Sequence, residues 1–175
     1  MKTITTFAMR AWLPLLALAA LLAIVAPPAS AAENAAFWKY QAKGDFNEVL
    51  THLKHGLLAA QFQITAEENL SKGLENNKHL FPKDKWNTIG FDNVTAVHFC
   101  SVVFNQEVFN VDLDWSVLCP FKIVAYTTKR APKDVTLVMV RPTFIMDKDK
   151  NAKAKGVGKK IEDRIVAAIK EGLMH

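Results

Sequence analysis

Val94-Thr95-Ala96-Val97-His98-Phe99-Cys100-Ser101-Val102-Val103-Phe104 is the stretch on which the fold turns. It is rich in β-branched and aromatic residues and reads as a strand over 94–104. Alternation puts Ala96, His98, Cys100 and Val102 on one face and Val97, Phe99 and Val103 on the other. Both faces are mostly apolar, which predicts a central strand covered on both sides. Phe121 to Thr127 and Val135 to Arg141 read as two further strands. The seven residues 128–134 between them have the length and polarity of a hairpin loop.

Upstream, residues 35–42 hold Phe37, Trp38 and Tyr40 and read as a first strand. Asp45 then has the character of a helix N-cap, with Glu48 at capping-box spacing. Phe46, Val49, Leu50, Leu53 and Leu57 follow at helical period, which predicts a helix over 45–60 with one buried stripe. Phe62 to Leu70 reads as a strand. Residues 71–92, rich in Asn, Lys, Gly and Pro, read as a long loop with a short helical turn, anchored by Trp86 and Phe91.

Downstream of the main strand, Asn105 caps a short helix running to about Leu113. Residues 147–160 hold six lysines and two aspartates and read as a solvated hinge. A last helix is expected from about Val157 to Gly172, burying Val157, Ile161, Ile165, Ala168 and Ile169. This order of elements predicts an α+β domain, a mostly antiparallel sheet with flanking helices.

The chain opens with an address. Met1 to Arg10 carries Lys2 and Arg10 and no acid, Ala11 to Ala26 is almost wholly apolar, and Pro27-Pro28-Ala29-Ser30-Ala31 ends in small residues. This is the layout of a secretory signal peptide cleaved after Ala31. The apolar run of about 16 residues is shorter than the roughly 20 that span a bilayer. The expectation is therefore a periplasmic or secreted bacterial protein with no membrane span after cleavage. It divides into a signal peptide (1–31), an N-terminal segment with the first strand (32–44), an α+β domain (45–146), and a Lys-rich hinge with a C-terminal helix packing on that domain (147–175). Without Lys2 and Arg10, 20 basic side chains face 17 acidic ones. That mild excess argues against a nucleic-acid partner.

Phe99-Cys100, the acidic helix after it, and Val117-Leu118-Cys119-Pro120-Phe121-Lys122-Ile123-Val124-Ala125-Tyr126 resemble a bacterial family, domain of unknown function family 302. The resemblance rests on an aromatic strand ending near a Cys, then a Leu-Pro-basic-aliphatic-aromatic strand and its hairpin partner. It covers roughly residues 45–142. Here Cys119 stands between Leu118 and Pro120, where the family runs directly into Pro. The resemblance implies a fold similar to the TATA-binding-protein-like class, sometimes as a homodimer, and implies no known catalytic activity.

Several side chains invite chemistry. Cys100 and Cys119 are the only cysteines. In an exported protein they suggest a disulfide, provided the strands bring their Cα atoms within about 7 Å; otherwise they are two buried thiols. His98 shares a face with Cys100, and Cys119 would complete a weak His-Cys-Cys set for a metal or a haem iron. His52 and His55 lie one helical turn apart beside Glu48, where a solvated face is the commoner reading. Glu107, Asp112 and Asp114 make an acidic helix. Gly156-Val157-Gly158-Lys159-Lys160 lacks phosphate-loop spacing. Lys122 and Arg141, on paired strands, suit an anion. No nucleophile elbow accompanies any serine.

The reading that unites these features is an exported, non-enzymatic binding domain with no cofactor. A small molecule or a periplasmic protein would be held near Trp86, Phe91 and Lys122. The alternative is a thiol-redox or metal protein built on Cys100, Cys119 and His98.

Overall fold

The computed structural model describes residues 35–174. The export segment read at 1–31 lies outside them. Five strands, β1 (Phe37–Lys43), β2 (Gln63–Asn69), β3 (Phe91–Cys100), β4 (Phe121–Thr128) and β5 (Ala131–Val140), form one sheet in the order β1-β5-β4-β3-β2. Every neighbouring pair is antiparallel. The helices are α1 (Phe46–Ala59), α2 (Leu70–Asn76), α3 (Val102–Phe109), α4 (Pro142–Met146) and α5 (Ala152–Leu173). Short 3-10 segments occupy Lys78–Leu80 and Leu113–Leu118. This is the expected α+β fold.

One face of the sheet makes the core. Val97 and Phe99 of β3, Ile123 and Ala125 of β4, and Leu137 of β5 are buried against α1 and α5. Their antiparallel register, Val97 opposite Ile123 and Ala125 opposite Leu137, stacks apolar side chains in rows. Each such large side chain contributes about 1.5–3 kcal/mol of transfer free energy. The stripes expected for both helices are the ones buried: Leu53 and Leu57 of α1, and Ile161, Ile165 and Ile169 of α5, are at most 1% exposed. Asp45 caps α1 as expected, its Oδ1 accepting from the backbone N–H of Asn47 at 2.9 Å. That bond, with a second from Glu48, holds the Asp45 carboxyl below its ordinary pKa.

Four expectations are corrected. The main strand stops at Cys100, because Phe104 and Val108, four residues apart, are buried as one face of α3. Val102 and Val103 are consequently exposed helical residues, against their β propensity. β4 is the middle strand with β3 beside it; α1 and α5 pack on the face of Val97 and Phe99, and α4 meets Val124 on the opposite face at the sheet's end. The hairpin loop shrinks to Lys129 and Arg130, because Asp134 and Val135 pair with Lys43 and Ala42 of β1 and draw residues 131–134 into β5. In the Lys-rich stretch, Asn151 caps a helix that starts at Ala152, five residues earlier than expected. The 71–92 loop likewise holds α2, capped by Asn69 Oδ1 at 2.8 Å from the Lys72 N–H.

α1 and α5 cross where neither has a side chain. A methyl group at Gly56 would stand 2.2 Å from the Ala168 carbonyl oxygen and 2.9 Å from the Gly172 Cα, and one at Gly172 would meet the His52 carbonyl at 2.6 Å. Both obstacles are backbone, so the helices would have to separate. Gly56→Ala is therefore expected to destabilise the protein by about 2 kcal/mol, by overpacking. Leu58→Ala, on the exposed side of the same helix, should stay within about 0.5 kcal/mol of the parent. Urea unfolding of the two variants checks this.

Candidate functional site

At one end of the sheet β1 begins, β5 ends and β4 begins, and there the chain leaves an apolar cleft of about 360 Å³. The strands supply Phe37, Val124, Val138 and Val140. The 3-10 segment before β4 supplies Val117 and Leu118, and α4 supplies Pro142 and Ile145. Phe121, Met139 and Ile165 continue the lining toward the core. Lys122 is the one charged residue at its wall. The volume and the apolar lining suit a small-molecule site, commonly roughly 300–1,000 Å³.

Three attachments fix the cleft's walls. The first is the disulfide between Cys100 and Cys119, whose Cα atoms lie 5.8 Å apart. Gln63 pairs with Cys100 on one side, and Phe99 pairs with Phe121 on the other. The bridge thus ties the end of the 3-10 segment to the end of β3. The second is the Trp115 indole, which donates to Asp149 Oδ2 at 2.7 Å and ties the same segment to the link before α5. The Asn151 backbone N–H, then this indole, hold the Asp149 carboxyl below its ordinary pKa. The third is Glu162 of α5, 7% exposed. It accepts from Arg141 Nε at 2.8 Å, from the Thr143 backbone N–H at 3.1 Å and from the Thr143 hydroxyl. Those bonds hold the start of α4, and so Ile145, over the cleft.

The structure distributes the expected site residues. Lys122 lies at the cleft. Trp86 and Phe91 lie at the opposite end of the sheet, where β3 begins, and do not line the cleft. There Trp86 sits between Phe81 (5.6 Å between ring centroids) and Phe91 (5.9 Å). Asn87 clamps the same turn, exchanging two hydrogen bonds with the Phe91 backbone. Arg141 is taken up by Glu162, so the Lys122–Arg141 anion pair does not form. The His98-Cys100-Cys119 metal set loses both sulfurs to the disulfide. Among the described residues, no three His, Cys, Asp or Glu side chains are grouped to hold a metal ion. His98 pairs across the strands with Lys122. His55 is exposed on α1. Asp112 caps the 3-10 segment, Glu107 pairs with Lys160, and 156–160 is ordinary helix.

Sequence reasoning missed α4 and most of the lining. One signal was available: Val124, Val138 and Val140 are apolar on the face opposite the core, which a strand covered on one side alone has no need to make apolar.

Comparison with known proteins bears on the fold. A family model described as Domain of unknown function DUF302 matches residues 38–172. A solved structure described as an uncharacterized conserved DUF302 protein from Bacillus stearothermophilus is similar, with a TM-score of 0.65 and 18% identity. The match covers 78% of this chain and 98% of that one. No curated protein matches.

The disulfide closes a loop of 19 residues, worth about 3 kcal/mol by the chain-entropy model. The double variant Cys100→Ser, Cys119→Ser is therefore expected to lose about that much in urea unfolding, and wild type should fall to the same level in a dithiol reductant. A double variant as stable as wild type would remove the bridge from the account of this end of the molecule.

Proposed function

Since the chain belongs to the DUF302 family, whose function is uncharacterised, we propose from the cleft that it is an exported binding domain for a small, largely apolar molecule. The observation that carries this reading is the cleft of about 360 Å³, lined almost wholly by hydrophobic side chains. An apolar cavity of this size, framed by a disulfide and a buried Glu162 network, is a preorganised receptor rather than a packing defect, which a domain of this size would ordinarily close.

Export rests on two supports. The first is the charged, apolar and small-residue order of residues 1–31. The second is the disulfide, a bond that persists in oxidising compartments. Catalysis gains no comparable support: Lys122 is the one titratable side chain at the cleft's wall. Binding in the cleft also accounts for the two walls meeting at an opening rather than closing over it.

Two measurements test this. Chain recovered from a bacterial periplasm should have the intact mass of residues 32–175 less two hydrogens. A mass that includes residues 1–31 would rule out cleavage. An apolar fluorophore such as N-phenyl-1-naphthylamine should bind the folded protein saturably. Ile145→Trp, which fills the cleft, should weaken that binding at least about tenfold while the urea midpoint changes little. Absence of saturable binding by the folded wild type, or equal binding by Ile145→Trp, would defeat the proposal.

A further inference from the structure

We infer that the cleft takes an amphiphile with an anionic head, a single alkyl chain ending in a carboxylate, and that Lys122 and His98 hold that head. The inference rests on the cleft reading above and names its ligand class.

Lys122 stands at the junction of two surfaces. Its side chain is exposed at the start of β4, beside the apolar wall of Val124, Val138 and Val140. Among the described residues it forms no ion pair, and it is the one charged residue at the cleft's wall. An ammonium on an apolar rim with no counter-charge is complementary to an anion.

His98 supplies the second observation. It is the cross-strand partner of Lys122 on the face opposite the core, so the two side chains are neighbours. Its Nε2 is buried and has no hydrogen-bond partner. Native proteins rarely leave such an atom unsatisfied without a use for it. The nearest carboxylate is Glu68 Oε2 at 3.6 Å, beyond hydrogen-bond length, on a side chain that is more than half exposed. Glu68 belongs to the edge strand β2, on the far side of His98 from Lys122, so it leaves the ammonium unneutralised. A carboxylate seated on this rim would meet the Lys122 ammonium, and a turn of the neighbouring His98 ring away from Glu68 would bring Nε2 to it. Its alkyl chain would run over Val124 and Val138 into the cleft. A cationic head would face Lys122 directly. A neutral head would leave the ammonium unpaired.

The experiment compares decanoate, decanol and decylammonium as competitors for the cleft fluorophore, at neutral pH, on the mature chain. Decanoate is expected to compete at least about tenfold more tightly than decanol, and decylammonium most weakly. Lys122→Met, at an exposed position, should erase the preference for decanoate over decanol. His98→Leu should reduce that preference several-fold. Equal competition by all three, or a preference that survives Lys122→Met, overturns the inference while leaving the apolar cleft in place. Competition by none of the three overturns the cleft reading itself.

Discussion

The contact between α1 and α5 at Gly56 and Gly172 sets the depth of the molecule. Helices that touch backbone to backbone sit side by side in one layer with their apolar stripes turned to the sheet. Larger residues would lift one helix away from Leu137 or Ile123. This crossing also places the other half of α5. With its C-terminal half pinned to α1, the helix runs back along the sheet and delivers Ile165 to the cleft and Glu162 to α4. A contact at one end of α5 therefore governs the geometry of a site about two to three turns away.

The cleft end is built from weak local elements held by strong cross-links. α4 is five residues long and the 3-10 segment six. Neither length is stable alone, since helix nucleation is costly and short helices depend on tertiary packing. What secures them is chemistry at their boundaries. Cys119 is bonded to Cys100 immediately after the 3-10 segment, Trp115 is tied to Asp149 within it, and Arg141 and Thr143 are tied to Glu162 at the entry of α4. Short elements fixed at their ends can frame a cavity without filling it. A long amphipathic helix over the same strands would have closed it.

Much of the fold was legible in the sequence, and the reasons divide cleanly. The stripe of α1, its Asp45 cap, the buried face of α5 and the strands at 121 and 135 all follow from local periodicity and capping. The disulfide was legible as chemistry but not as geometry, because register decides whether two strand-end cysteines meet. The failures have two causes: packing or pairing that local propensity does not show, and caps that the sequence carried locally but were read otherwise. Val102 and Val103 favour a strand, but the burial of Phe104 and Val108 draws them into a helix. Residues 131–134 read as loop until β1 offers a pairing edge. Asn151, read within a solvated hinge, and Asn69, read within a strand, are caps. Of the candidate site, Lys122 could be named from the strand motif. Its neighbours could not be, because Phe37, Leu118, Val138 and Ile145 come from four separate segments.

The face of the sheet opposite the core bears on what kind of protein this is. An antiparallel sheet with one wet face normally alternates apolar and polar residues, so that the wet side is dressed with charge. Here that side carries Ala96, which is buried, Val124 and Val138, which are half-buried, and Val140, which is exposed at the end of β5. Charged side chains on it include Lys39 near one edge, Glu68 at the other, and Lys122. Apolar surface left in water has a cost, and a chain under selection for stability alone has no reason to keep it beside a cavity. The same arrangement follows directly if the surface continues the cleft and is covered when a ligand is bound. On that view the buried His98 nitrogen without a hydrogen-bond partner and the Lys122 ammonium without an ion pair belong to one site, gathered where a ligand would meet them.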